Sequence, residues 1–154
     1  ADVMPDRITL GDGQAVTARL TIDARGAGDL STLKLGWQKF VGQKVHVPGG
    51  HGLTRPIVMD ATVEQIDGYR FVYCLPFDAE TVFIEDTYYS DTPDLDVPAI
   101  RERIIAYAAA KGWQTNGGGH EETGVLPVII GGDFDAYWRS TGTAIAKAGI
   151  RSGM

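Results

Sequence analysis

Two acidic residues, Glu85 and Asp86, stand side by side in a run of apolar, aromatic and β-branched residues. Such a run is typical of a β-strand, in which neighbouring side chains point to opposite faces. One carboxylate must therefore point toward an apolar surface, whichever face is the core. Because burying an ionised carboxylate is costly, such a group either finds a partner or takes up a proton. The first outcome is a structural acid and the second is a proton donor, and the residues alone favour the structural interpretation.

The two acids belong to a predicted β-hairpin over residues 70–89. The first strand, 70–75, is aromatic and apolar, the turn-type residues 76–80 follow, and the second strand covers 81–89. Alternation along the second strand predicts two faces, one with Phe83, Glu85, Thr87 and Tyr89 and the other with Val82, Ile84, Asp86 and Tyr88. Because Glu85 and Asp86 lie on different faces, we do not expect them to touch the same atom of a ligand.

Other polar residues are weaker candidates for a site. Residues 23–26 (Asp23, Ala24, Arg25 and Gly26) end a predicted strand, and such an ending can bring the backbone close to a ligand, although a plain turn is the simpler interpretation. Asp60 is embedded in a predicted strand over 57–65, on the face opposite its apolar residues. The histidines lack the paired spacing of a zinc or di-iron site, so we expect no metal site.

Composition excludes several classes of protein. The chain has 154 residues, of which 44% are hydrophobic, which is sufficient for a real core. A formal net charge of -6 argues against a nucleic-acid partner. The single cysteine, Cys74, excludes an intrachain disulfide and fits a reducing, cytoplasmic setting. No apolar run has the length of a membrane span, and the lack of an initiator Met suggests a piece of a larger protein.

The remaining pattern predicts an α+β fold with one main helix. Asp94 and Asp96 can cap a helix over residues 98–111, whose buried face would carry Ile100, Ile104, Tyr107 and Ala108. Glycines interrupt the segment 131–138, which reads as a turn, whereas the type of 144–148 stays open. Strands are predicted at 7–10 and 15–22, which form a hairpin around a Gly-Asp-Gly turn, at 37–45 with a possible bulge at Gly42, and at 125–130 after a polar, glycine-rich stretch.

Several segments together resemble bacterial lycopene β-cyclases, in order and in spacing and over nearly the whole chain. The segments are 55–63 (Arg-Pro-Ile-Val-Met-Asp-Ala-Thr-Val), 67–73 (Asp-Gly-Tyr-Arg-Phe-Val-Tyr), 84–89 (Ile-Glu-Asp-Thr-Tyr-Tyr), 124–127 (Gly-Val-Leu-Pro) and 131–133 (Gly-Gly-Asp).

The resemblance implies the central part of a flavoprotein. Residues 1–30 would be accessory strands of the FAD-binding domain, 31–130 an antiparallel-sheet substrate domain, and 131–154 a segment that returns toward the flavin domain. The family uses reduced FAD, with NAD(P)H as reductant, and Asp23, Arg25 and Gly26 match a motif near that cofactor. Because the chain lacks the N-terminal glycine fingerprint, we expect it to hold no FAD alone and to be inactive alone.

The resemblance also implies a reaction, in which an acid protonates the terminal double bond of lycopene or a related acyclic carotenoid. The cation is attacked by the next double bond, and proton loss completes a β-ionone ring without net oxidation. By this resemblance Glu85 matches the acid that the family uses as proton donor and Asp86 its second acid, where Asp replaces the Glu of the family motif. Substrate contacts would come from Phe71, Tyr73, Phe83 and Asp60.

Two alternatives stay open at this point. A non-catalytic domain that binds a hydrophobic ligand would keep the aromatic residues without needing Glu85. A fragment of a related flavin monooxygenase or reductase is disfavoured by the Ile84-Glu-Asp-Thr87 motif, since redox chemistry needs no strong acid on that strand. We expect a cytoplasmic protein, as the single cysteine suggests, and a carotenoid substrate implies peripheral contact with a membrane.

Overall fold

The fold was analysed in a computed structural model, which describes residues 1–140, 142 and 144–153. The chain forms two compact units, Ala1–Leu35 with Pro127–Met154, and Gly36–Leu126. The described residues form ten strands, two α-helices and a 3₁₀ helix, joined by turns and loops. In chain order they are β1 (Asp2–Met4), β2 (Arg7–Thr9), β3 (Ala15–Thr17), β4 (Ile22–Asp23), β5 (Leu33–His46), β6 (Ile57–Asp60), β7 (Tyr69–Pro76), β8 (Thr81–Ser90), α1 (Val97–Ala110), β9 (Asn116–Gly132), α2 (Phe134–Ser140), β10 (Ala146–Lys147) and the 3₁₀ helix (Gly149–Ser152).

The strands form one large and two small sheets, which confirms the predicted α+β class. The large sheet is antiparallel with the order β6-β7-β8-β5-β9. The predicted hairpin of residues 70–89 is its centre, since β7 and β8 pair from Tyr69 opposite Tyr89 to Pro76 opposite Val82. In the other unit, β1, β2 and β3 form a small antiparallel sheet, and β4 pairs in parallel with β10.

Helix α1 covers one face of the large sheet and builds the core with it. Asp96 caps the helix by accepting a hydrogen bond from the Ala99 N–H at 3.1 Å. At the other end, Lys111 is the C-cap residue, and Gly112 follows it. The predicted buried face of the helix is confirmed. We call the side of the sheet that packs on α1 the helix face; it contributes the buried residues Val41, Val45, Val72, Cys74, Val82, Ile84 and Tyr88.

Two predicted features of the strands are wrong. The strand predicted over 57–65 ends at Asp60, because the Asp60 carboxylate accepts hydrogen bonds from Thr62 N and Oγ1 and closes a local turn. Met59 has a positive φ of 56°, which breaks the alternation expected along this strand. Gly42 forms no bulge, since β5 and β8 pair without interruption from Trp37 to His46.

Two predicted irregular segments are regular in the structure. The polar stretch before residue 125 belongs to β9, which runs from Asn116 to Gly132 as one strand. The segment 131–138, predicted as a turn, contains the start of α2, which Asp133 caps by accepting from the Ala136 N–H at 2.9 Å. The undecided segment 144–148 contains β10. Neither helix in the described part of the chain is long and apolar enough to cross a membrane.

Candidate active site

The side of the large sheet opposite the helix face carries Glu85, and we call it the Glu85 face. The pairing register places side chains of β7, β8 and β5 in rows across this face. Glu85 has Tyr73 opposite it on β7 and Gly42 opposite it on β5. The neighbouring rows add Phe71, Leu75, Phe83, Thr87, Tyr89, Phe40 and Lys44, so a carboxyl group sits among mostly aromatic and apolar neighbours.

The Glu85 carboxyl is half-buried and has one hydrogen-bond donor. Thr87 Oγ1, which is fully buried, donates to Glu85 Oε1 at 2.8 Å. Burial raises the pKa of Glu85 above its ordinary value, the Thr87 hydrogen bond opposes this rise, and the charge of Glu122 adds to it. The net effect shifts Glu85 toward the protonated form relative to an ordinary glutamate, and the protonated form is the one that can donate a proton.

Aromatic rings surround the Glu85 carboxyl on the same face. The Phe71 and Tyr73 rings meet edge to face with centroids 5.3 Å apart, and the Tyr89 ring lies 5.8 Å from Phe71. Phe83 lies over Gly42, where a Cβ atom would overlap its ring. The structure therefore brings three of the predicted substrate residues, Phe71, Tyr73 and Phe83, to one face with Glu85.

Asp86 lies on the opposite, helix face and is fully buried there. The Arg70 guanidinium donates to both carboxylate oxygens, from Nε at 2.8 Å and from Nη2 at 2.9 Å, and Tyr88 Oη donates at 3.0 Å. Arg103 in turn donates to Tyr88 Oη at 3.1 Å. A carboxylate held by a paired guanidinium is an anion fixed in the core, and it has no path to the atoms that Glu85 could reach.

Asp60 also lies on the helix face, away from Glu85. Tyr107 Oη of α1 donates to Asp60 Oδ2 at 2.7 Å, and Lys111 Nζ donates at 3.3 Å. The hydrogen bond from Thr62 is the main cause that holds the pKa of Asp60 well below its usual range. Asp60 therefore anchors the end of α1 to the edge strand β6, and the structure does not bring it together with the aromatic residues.

The predicted cofactor residues form a charged cluster in the unit Ala1–Leu35 with Pro127–Met154. Arg25 donates from Nε and Nη2 to the two oxygens of Asp23, each at 2.9 Å, and Arg151 Nε donates at 3.0 Å. The Arg25 guanidinium holds the pKa of Asp23 well below its ordinary value. Gly26 has a φ of 84°, and a Cβ there would meet nothing within 4 Å.

Of the predicted cofactor residues, Gly26 has room for a ligand, whereas the Asp23 carboxylate already has its hydrogen-bond partners. The Asp23 carboxylate is buried and saturated by its two arginines, whereas the backbone at Gly26 is open to close approach by a ligand. The described residues contain no group of three His, Cys, Asp or Glu side chains arranged to hold a metal ion.

Three residues of the site were missed in the sequence. Arg70 was treated only as part of a strand, although an arginine inside an apolar run signals a buried carboxylate partner. Thr87 follows Glu85 by two residues, the spacing of side chains on one strand face. Gly42 was interpreted as a bulge, whereas an interior strand glycine also marks a close approach by another group, here the Phe83 ring.

Comparisons with known proteins agree with the resemblance in the sequence. The family model described as lycopene cyclase protein matches residues 2–154. The chain is 43% identical over its full length to a lycopene beta-cyclase of Pseudescherichia vulneris and to one of Pantoea ananas, and it covers 40% of each. It is 41% identical over 146 residues, 95% of its length, to the lycopene beta-cyclase of Paracoccus sp. (strain N81106 / MBIC 01143), of which the match covers 38%. No solved structure matches the chain.

Proposed function

The chain belongs to the lycopene cyclase family, and we propose that the protein containing it closes the end of lycopene or a related acyclic carotenoid into a β-ionone ring. The chain spans 40% of the length of the relatives from Pseudescherichia vulneris and Pantoea ananas, so this is a proposal for the whole protein. One observation supports it most strongly. Glu85 is a carboxyl with a raised pKa on an aromatic sheet face, as a proton donor to an alkene requires.

Protonation of an alkene needs an acid that stays neutral near pH 7 in a place with little water. Burial disfavours the charged form of Glu85, and one hydrogen bond from Thr87 is too little to reverse this. Asp86, the neighbouring acid, has the opposite environment, because Arg70 compensates its charge. Glu85 is therefore the donor in this proposal, and Asp86 supports it by fixing the strand from the helix face.

The proposed reaction begins when Glu85 gives its proton to the terminal double bond of the polyene. The next double bond attacks the tertiary cation that forms, a carbon–carbon bond closes the ring, and a second tertiary cation results. Loss of a proton from the ring then sets the ring double bond, so substrate and product are isomers with no net redox change. The faces of Phe71, Tyr73 and Phe83 can stabilise the passing positive charge.

The unit Gly36–Leu126 supplies this substrate face, in agreement with our proposal that residues 31–130 are the substrate domain and 1–30 and 131–154 belong with the flavin domain. Reduced FAD, kept reduced by NAD(P)H, would stabilise the cation or take part in proton transfer when bound. In the present chain, the open backbone at Gly26 beside the Asp23–Arg25 pair is the part that fits such a group. The chain alone is proposed to be inactive.

We propose that the whole protein works in the cytoplasm, and its apolar substrate implies peripheral contact with a membrane. Expression of the full-length gene in cells that accumulate lycopene tests the function directly. We expect the pigment to change to one with β-ionone rings. Lycopene that stays bound to the purified protein without turnover would support a hydrophobic-ligand-binding domain in its place, and NAD(P)H consumption in proportion to product would support a redox flavoenzyme.

A further inference from the structure

The row of side chains that contains Glu85 continues past Gly42 onto the edge strand β9. Gln43 Nε2 donates to Glu121 Oε2 at 2.8 Å, and Glu121 also accepts from Arg101 of α1, so Glu121 lies on the helix face. A Cβ at Gly124 would overlap the Phe40 ring on the Glu85 face. Alternation between these two residues places Glu122 on the Glu85 face, across from Gly42.

Gly42 leaves the space between Glu85 and Glu122 free of a side chain of its own. Two strand spacings separate their backbones, about 10 Å, so the two glutamate side chains flank the position of Gly42. The Phe83 ring occupies that position, where a Cβ of residue 42 would overlap it, so the ring lies between the two acids. The charge of Glu122 is one of the causes that raise the pKa of Glu85, which agrees with both acids lying on the same face.

Glu122 has a partner that connects it to water. His120 Nε2 lies 2.8 Å from Glu122 Oε1, and both side chains are more than half exposed. Residues two apart on a strand share a face, so His120 lies beside Glu122 on the Glu85 face and is exposed to solvent. An imidazole that contacts both a carboxylate and solvent can relay a proton between them.

On the basis of the proposed function, we propose that Glu122 is the base that removes the ring proton, with His120 as its route to solvent. Glu85 gives a proton to the terminal alkene carbon, and the ring bond forms over Phe83. The C–H bond next to the ring cation then breaks, its electron pair becomes the ring double bond, and Glu122 takes the proton. Transfer through His120 and water returns one proton to Glu85, so protons and electrons balance over the cycle.

This assignment gives Glu122 control over the product as well as the rate. The ring cation has neighbouring C–H bonds on more than one carbon, and removal of each proton gives a different isomer of the ring double bond. A single base fixed opposite the donor selects one of them. If Glu85 took back its own proton, Glu122 would have no influence on which isomer forms.

The test compares full-length variants expressed in lycopene-accumulating cells, with pigment isomers resolved by chromatography and protein amounts measured. Glu122→Gln is expected to cyclise about 100-fold more slowly, the order of a general acid–base contribution, and to enrich ring isomers other than the β-ring. Glu122→Asp should recover part of the rate and of the β-ring fraction. Glu121→Gln is the matched control, since it removes the adjacent charge from the helix face, and it should behave as the unchanged protein.

Two results would overturn the assignment of Glu122. One is a Glu122→Gln variant that matches Glu121→Gln in rate and isomers. The other is a slower Glu122→Gln variant with unchanged isomers and no recovery in Glu122→Asp. Failure of the proposed function looks different: the unchanged protein would make no cyclised carotenoid, or Glu85→Gln would retain full activity.

Discussion

Glu85 and Asp86 are consecutive residues of β8, yet their carboxyl groups lie on opposite faces of the sheet and have different polar partners. Asp86 is compensated by Arg70 at 2.8 Å, whereas Glu85 has only the hydroxyl of Thr87 at 2.8 Å and a pKa raised by burial. Two carboxyl groups thus stand side by side in apolar surroundings, one paired with a guanidinium and one with a pKa raised by burial. This difference is the physical basis for assigning the chemistry to Glu85.

Thr87 is expected to act as a positioning residue for Glu85. Its hydroxyl occupies Oε1, which leaves Oε2 to carry and deliver the proton. In Thr87→Val, loss of this hydrogen bond raises the pKa of Glu85 further, because the bond lowers it. Since activity needs the protonated acid and falls as the pH rises through this pKa, the alkaline limb of the pH–rate profile should move to higher pH.

The same variant should also lose rate, by up to about 100-fold, because the carboxyl is no longer held in one orientation. Thr87→Ser keeps the hydroxyl and is the matched control, with a pH profile close to that of the unchanged protein. The measurement is cyclisation by the purified full-length protein across a range of pH. An unmoved profile in Thr87→Val would show that the hydroxyl has only a structural role.

Gly42 is expected to be required because the Phe83 ring occupies the place of a side chain. Gly42→Ala forces that ring to move, at a cost of about 1–3 kcal/mol in the free energy of unfolding, and disturbs the packing beside Glu85. Gly11→Ala is the control, since a Cβ there meets nothing within 4 Å. Denaturant titration and cyclisation rates measure the two effects.

A second substitution separates packing from chemistry at this position. Phe83→Leu combined with Gly42→Ala should regain stability, because the smaller side chain leaves room for the new methyl group. Activity should stay low, because leucine offers no aromatic face to a cation. Full recovery of activity in the double variant would mean that the Phe83 ring serves only packing.

The Arg70–Asp86 pair is expected to be a stability determinant. Arg70→Met leaves the Asp86 charge buried without its partner and should cost about 3–5 kcal/mol in the free energy of unfolding. Replacing both residues, as in Arg70→Met with Asp86→Leu, should cost much less than the two single changes added together. Costs that simply add in denaturant titrations would contradict a direct coupling between the two side chains.

Local patterns were sufficient to predict the hairpin of β7 and β8, the opposite faces of Glu85 and Asp86, and the whole of α1. These features depend on alternation, capping and helical spacing, which are properties of neighbouring residues. The aromatic character of the Glu85 face was also visible, since Phe71, Tyr73 and Phe83 stand in the same hairpin.

Features that depend on distant partners could not be predicted in the same way. Arg70 and Asp86 are 16 residues apart, and Asp60 and Tyr107 are 47 apart, so only the fold reveals these contacts. Gly42 looked like a possible bulge because the real function of this glycine, to accommodate the Phe83 ring, depends on packing across paired strands. The helix α2 was hidden by the two glycines that precede it, Gly131 and Gly132, although Asp133 gave a capping signal.

Glu85→Gln in the full-length protein, expressed in lycopene-accumulating cells, tests the central claim most directly. A carboxyl whose pKa is raised by folding destabilises the protein as the pH rises through that pKa. Glutamine resembles the protonated acid and stays neutral at every pH. The variant should therefore fold at least as stably at neutral pH. The account predicts normal amounts of folded protein and unchanged lycopene. Formation of β-ionone rings by this variant at the rate of the unchanged protein would contradict it.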